Sequence, residues 1–269
     1  MGGTASVYWF IGVAVFAALS WAVGVRLGRG EARRAWASLA GGIVLILGWA
    51  WLIRHPSIAV HVIPVGVLSR IEGVGGVPIF MLILGVAWSR CQLPRQRHVV
   101  AWGMMLGAIY YVNGGMWLLQ ETPSAVMGQT ITDADFRQTQ DYTCVPAACA
   151  TALNLMDIPS TEAQMAELTQ TRPGTGATII RALDGLNQRL KNTGIKPVLL
   201  EPDWRTLQGL QPPVLTPLQF EPTRRHMVVI SKIEPEGIWI MDPVEGYIHF
   251  SQLGFLEVYR NQVIAFDRP

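Results

Sequence analysis

Four residues of the 269-residue chain have the types and spacing that thiol-based acyl transfer needs: Gln138, Cys144, His226 and Asp242. That chemistry requires a cysteine ionisable near neutral pH, a histidine to share its proton, a side chain to orient the histidine and a donor for the oxyanion. Cys144 opens the run CVPAACATALNLM at 144–156, whose first-turn proline and Ala/Leu content predict a helix. A thiol at a helix N-terminus meets free backbone N–H groups and a partial positive charge, and both lower its pKa. His226 opens HMVVISKI and Asp242 closes GIWIM, so adjacent antiparallel strands would set the two side by side. Gln138, six residues before the cysteine, is placed to offer a side-chain N–H to the oxyanion.

Each of these residues alone also has a plainer reading. A cysteine among alanines is often a small core residue, a histidine at a strand edge a surface residue, and an Asp before Pro243 a turn starter. His249 is a second candidate base, seven residues after Asp242 and inside a strand pattern. Cys149, five positions past Cys144, points to another face of the same helix and reads as packing. With Cys91 the chain has three cysteines, too few for a disulfide framework. His55, His61 and His98 have no carboxylate or cysteine at metal-ligand spacing, so neither a metal site nor a cofactor is expected.

The elements that must position these residues begin near residue 133. After the helix at 144–156, TEAQMAELT at 161–169 predicts a second, with Thr161 and Gln164 at capping-box spacing. The Gly-rich RPGTG at 172–176 reads as a loop, and 177–190 as a third, amphipathic helix. Beyond it, 196–201, 212–220, 226–233, 237–243, 247–251 and 262–267 are short β-branched or aromatic runs bounded by Pro and Gly. Helices followed by antiparallel strands is the α+β order, and 133–269 is long enough for one core.

The joint pattern resembles the bacteriocin-processing cysteine peptidases, papain-like enzymes of peptidase family thirty-nine that cut leader peptides after a double glycine. The stretch Gln138, Asp141-Tyr142-Thr143-Cys144, Pro146-Ala147-Ala148, then Gly174-Thr175-Gly176, His226 and Asp242-Pro243 carries the resemblance. It implies a papain-like fold over 133–269, with Cys144 as nucleophile, His226 as general base, Asp242 as its orienter and Gln138 as oxyanion donor. Val145 stands where the family usually has glycine, and is expected with Gly174, Thr175 and Gly176 to shape the substrate groove. Thr143 stands where exporter-fused members carry Asp. Those members also place the peptidase ahead of their membrane helices; here the order is reversed, and no G-x-x-x-x-G-K-[ST] occurs. ATP-driven export by this chain alone is therefore not expected.

The first 120 residues are of another kind. They hold nine Arg, no Lys and only Glu31 and Glu72 as acids, against twelve bases and seventeen acids in the remainder. Four stretches, 7–25, 35–53, 73–89 and 99–119, are nearly uncharged and about long enough to cross a hydrocarbon layer of ~30 Å. The third is the shortest and contains Pro78. A fifth apolar run, 57–68, with His61 and Pro64 inside, reads as interfacial or re-entrant. The expectation is a domain of about four transmembrane helices over 1–120, a linker over 121–132 and the peptidase-like domain over 133–269. MGGTAS has no positive charge ahead of the first apolar run, so a retained helix is expected over a cleaved signal peptide. Loops 26–34 and 90–98 carry four and three Arg. The positive-inside rule then puts both in the cytoplasm and the C-terminal domain on the extracytoplasmic side of the cytoplasmic membrane.

The function these features point to is a membrane-anchored cysteine endopeptidase acting on a peptide or protein substrate. Its partners would be that substrate, the lipid bilayer and a separate transporter or secretion system; the Arg loops are topology signals and not a nucleic-acid surface. A peptidase-like module that binds a peptide without cutting it is the alternative, and acyl transfer to an amine is a third reading of the same residues.

Overall fold

The computed structural model describes residues 2–116, 137–221 and 225–268, with backbone alone for 2–6. The expected linker at 121–132 lies outside the described residues. The chain divides into two compact units, 1–121 and 122–269.

In the first unit, six helices are described: α1 (Gly2–Gly28), α2 (Ala32–Arg54), α3 (Pro56–Val62), α4 (Val65–Ile71), α5 (Val77–Arg90) and α6 (Pro94–Gly115). Two stretches, Val7–Gly28 and Ala32–Arg54, are long and apolar enough to cross a membrane. The third expected span forms a helix of only 14 residues, about 21 Å at 1.5 Å per residue. Pro78 is accommodated because it falls in the first turn of α5, where no intrahelical donor is lost. The run 57–68 is broken at Ile63-Pro64 into α3 and α4, since proline disfavours helix in the residue before it. Backbones of α1 and α5 touch through glycines: a side chain on Gly24 would strike the Leu82 carbonyl, and one on Gly85 the Trp21 carbonyl. Large apolar side chains of these helices, among them Phe16, Val44, Leu47, Trp102 and Leu106, point outward.

The second unit opens with α7 (Cys144–Asn154), α8 (Glu162–Leu168) and α9 (Ile179–Leu190). Thr161 and Thr178 cap α8 and α9 by accepting the N–H groups of Gln164 and Arg181. Helix α9 carries an apolar stripe of Ile179, Ala182, Leu183, Leu186 and Leu190, and its first two turns, 179–186, are buried on every side. Six antiparallel strands follow: β1 (Lys196–Leu200), β2 (Val214–Leu218), β3 (His226–Glu234), β4 (Gly237–Asp242), β5 (Gly246–Ser251) and β6 (Val263–Asp267), in the sheet order β1-β6-β2-β3-β4-β5. Helix α10 (Trp204–Gln208) precedes β2, and α11 (Gln252–Val258) precedes β6. The strand core gathers Val214, Leu218, Val228, Ile230, Ile238 and Ile240 around Phe255 of α11. Helix α7 packs on β3 and β2, and α11 on β5 and β4. This is the α+β architecture expected for the second half.

Candidate active site

Cys144 is the first residue of α7, and the turn ahead of it leaves that helix end open. Thr143 holds the N-cap position, yet its hydroxyl donates to the Gln140 carbonyl at 2.9 Å and accepts the Gln140 N–H at 3.1 Å. No side chain caps the helix. The Met227 N–H, from β3, and the Val145 N–H both act on the Cys144 thiol and lower its pKa.

His226 begins β3 and Asp242 ends β4. Their antiparallel register, Val229 opposite Met241, brings those two strand ends to one edge of the sheet. There His226 Nε2 lies 2.7 Å from Asp242 Oδ1. The ring's second partner is the Cys144 thiol. Asp242 is 2% exposed, and its Oδ1 accepts the N–H groups of Val244 at 2.7 Å and Glu245 at 3.2 Å. The Asp-Pro turn thus fixes the carboxylate, and the carboxylate fixes the ring.

Burial disfavours the charged form of all three groups, and specific contacts reverse it. In Cys144 the burial penalty is outweighed by the hydrogen bond and charge of His226 and by the Met227 and Val145 N–H groups, so the thiol falls below its ordinary 9.0. In His226 burial pulls downward, but hydrogen bonds to Asp242 and Cys144, with their charges, carry the imidazole from 6.5 up to about 9. For Asp242, burial is overcome by His226 and the Val244 N–H, which hold the carboxyl below its usual 3.8. A lowered thiol beside a raised imidazole shifts the pair in the direction of thiolate and imidazolium.

Gln138 is held beside this group by its backbone, whose N–H donates to the Pro243 carbonyl at 2.9 Å. Its Oε1 is buried without a hydrogen-bond partner among the described residues. A cavity of about 430 Å³ opens along the same segment, walled by Gln138, Gln140, Asp141, Pro243 and Val244. The RPGTG loop closes through paired Arg172 and Gly176 backbones. Gly174 and Gly176 sit at φ +74° and +62°, where an L side chain is strained. A Cβ on Gly176 would come 3.2 Å from the Tyr142 carbonyl oxygen, so the loop lies against the turn that precedes the cysteine.

Residues 135–269, half of the chain, match a single protein family. The chain belongs to the peptidase C39 family. A protein of Methanothermobacter thermautotrophicus, described as uncharacterized, is 28% identical over 136 residues, which span 49% of this chain and 87% of that one. Two solved structures are also similar. One is a double glycine motif protease from an AMS/PCAT transporter in complex with the leader peptide, at 16% identity and a TM-score of 0.42, covering 55% of this chain and 96% of that one. The other is the peptidase domain of Streptococcus ComA, a bifunctional ABC transporter of a quorum-sensing pathway, at 18% identity and a TM-score of 0.42, covering 49% and 96%.

In this C39 domain Cys144, His226 and Asp242 form one hydrogen-bonded chain, and Gln138 is tethered next to it. Val145 faces the core, at 4% exposure, and presents its N–H to the sulfur instead of its side chain. Cys149 is fully buried, and burial, then the Cys144 charge, push its thiol upward. His249 lies on β5 with its ring 4.8 Å from that of Trp239. Two contributors were not legible in the sequence. One is the Met227 N–H, a backbone group that carries no residue-type signal. The other is Glu162, a helix-start acid whose partner is 23 residues away, the Thr139 N–H.

Proposed function

We propose that the chain is a membrane-anchored cysteine endopeptidase that cuts a peptide or protein after small residues, with Gly-Gly the first cleavage point to test. The observation that carries this reading is the continuous link from Cys144 through His226 to Asp242, with a lowered thiol beside a raised imidazole. Cys144 Sγ attacks the scissile carbonyl and forms a C–S bond. The carbonyl oxygen becomes an oxyanion, held by the Gln138 amide and the Cys144 N–H. His226 gives its proton to the leaving amine as the C–N bond breaks, and then takes one from the water that releases the acyl group. Asp242 keeps the ring aligned through both transfers. Gly174, Thr175 and Gly176 border the groove that receives the substrate, whereas the Val145 side chain, expected there from the sequence, is buried in the core.

The first unit supplies the membrane anchor in this reading, with α1, α2, α5 and α6 as four spans and the C39 domain on the extracytoplasmic side. Its outward apolar side chains suit a lipid solvent and would be costly in water. A separate transporter or secretion system is the partner implied.

Incubation of the purified full chain with a Gly-Gly-containing peptide tests the reading. Cleavage C-terminal to the second Gly, lost in Cys144→Ala, is the expected result. Binding of the peptide with no cleavage product would make the domain a recognition module, and an amine-linked product would make it an acyltransferase.

A further inference from the structure

We propose that Glu162 is the positioning residue for the oxyanion side of the cleft: by holding the Thr139 N–H, its carboxyl group sets where the Gln138 side chain sits. The inference rests on the reading of Cys144 as nucleophile and Gln138 as oxyanion donor.

Residues 138–140 belong to no helix or strand, so tethers alone determine where Gln138 lies. Three are present. The Gln138 N–H donates to the Pro243 carbonyl at 2.9 Å. Gln140 is tied to Thr143 within the same turn. Between them, the Thr139 N–H donates to Glu162, 3.0 Å from Oε1 and 3.3 Å from Oε2. The first two end on a backbone carbonyl or inside the loop itself. The third ends on a side chain from another element, and that side chain is 1% exposed, so water does not compete for it. A second sign places the Glu162 carboxyl against this segment: the Tyr142 phenol is raised by burial and, after it, by the Asp141 and Glu162 charges.

Glu162 is in turn referenced to the helix that carries the nucleophile. Asn154, the last residue of α7, donates through Nδ2 to the Ser160 carbonyl at 2.9 Å and accepts the Ser160 N–H at 2.9 Å. This clamps the entry to α8, where Thr161 accepts the Gln164 N–H and Glu162 follows. Contacts therefore run from Cys144 along α7 to Asn154, Ser160 and Glu162, and back through Thr139 to Gln138. Nucleophile and oxyanion donor share one frame, and a misplacement of about 1 Å in such a frame costs on the order of 10²-fold in rate.

The test uses the full chain with Glu162→Met, which keeps volume and removes the acceptor, Glu162→Ala as a second variant lacking it, and Glu162→Gln, which retains an acceptor oxygen. Three quantities are read: kcat and KM on a Gly-Gly peptide, the iodoacetamide alkylation rate of Cys144, and the affinity of a peptide aldehyde whose hemithioacetal oxygen occupies the oxyanion position. In the Met and Ala variants kcat falls about 10–100-fold with KM within about twofold. Aldehyde affinity falls in step, alkylation stays at the wild-type rate, and added Gln138→Ala brings the loss only to that of Gln138→Ala alone, short of the product of the two, because the two act as a unit. Glu162→Gln recovers most of the loss. Unchanged kcat and aldehyde affinity in both the Met and Ala variants, or alkylation falling together with kcat, would overturn the inference. Cleavage surviving in Cys144→Ala would instead overturn the reading beneath it, so the two failures are distinguishable.

Discussion

Cys144 and Cys149 share one helix and differ by five residues, yet their environments drive the thiols in opposite directions. Cys144 meets an imidazole and two N–H groups, while Cys149 meets only apolar packing and a neighbouring charge. Alkylation of the folded protein at pH 7 should therefore modify Cys144 and spare Cys149, read by peptide mass mapping; equal modification would contradict the burial of Cys149. In the proposed mechanism Cys144 and His226 together set the pH profile. Activity needs thiolate and imidazolium together, so it rises as the lowered Cys144 thiol ionises and falls as His226 deprotonates near pH 9. Asp242 supports the raised imidazole value, so Asp242→Asn should move the alkaline limb of kcat/KM to lower pH by about one unit or more. An unmoved limb would mean that His226 does not own it. Gln138→Ala should cost about 10²–10³-fold in kcat with little change in alkylation rate, the pattern of a lost oxyanion donor.

At the scale of elements, periodicity in the sequence was enough to find most of the C39 domain. All six extended runs became strands with shifts of one or two residues at their ends, because β-branched alternation bounded by Pro and Gly is a local signal. Helices α7, α8 and α9 were equally legible from capping and amphipathic spacing. Helices α10 and α11 were not. WRTLQ and QLGFLEV span five and seven residues, too short for a periodic pattern, and packing decides them. Phe255 shows how: it is fully buried among Val228, Ile238 and Leu207. Phe255→Ala should destabilise the domain by about 3–5 kcal/mol in denaturant unfolding, and a loss below about 1 kcal/mol would contradict its place in that core. Within the site, the residues proposed as nucleophile, base, orienter and donor were legible in the sequence because each proposed role needs a particular residue type. The Met227 N–H and the Glu162 tether stayed hidden, since a backbone donor has no side-chain identity and the 139–162 contact exists only after folding.

At the scale of the whole molecule, a charge-poor, Arg-only first half and a mixed-charge second half correspond to two compact units of different chemistry. Composition alone located the apolar helices, but not their length. About four spans were expected, the third the shortest; among the described residues two helices meet the length and apolarity needed, and α5 has 14 residues. Backbones of α1 and α5 approach closely at Gly24 and Gly85, the kind of packing through small residues that would hold apolar helices together in a lipid solvent. Gly85→Leu should force those backbones apart and lower the thermal midpoint of the first unit in detergent, at a cost of about 1–3 kcal/mol; an unchanged midpoint would contradict the close contact. If the Arg-rich loops face the cytoplasm, alkaline phosphatase fused after Pro269 is active and a cytoplasm-dependent reporter is not; the reverse would place the C39 domain inside. The most direct test of the central claim is the mass spectrum of the purified full chain incubated with a Gly-Gly peptide, wild type beside Cys144→Ala. The account predicts cleavage products and a peptide-aldehyde adduct on Cys144 in the wild type, with cleavage at least about 10⁴-fold slower in the folded variant. Cleavage at an undiminished rate in Cys144→Ala would contradict it.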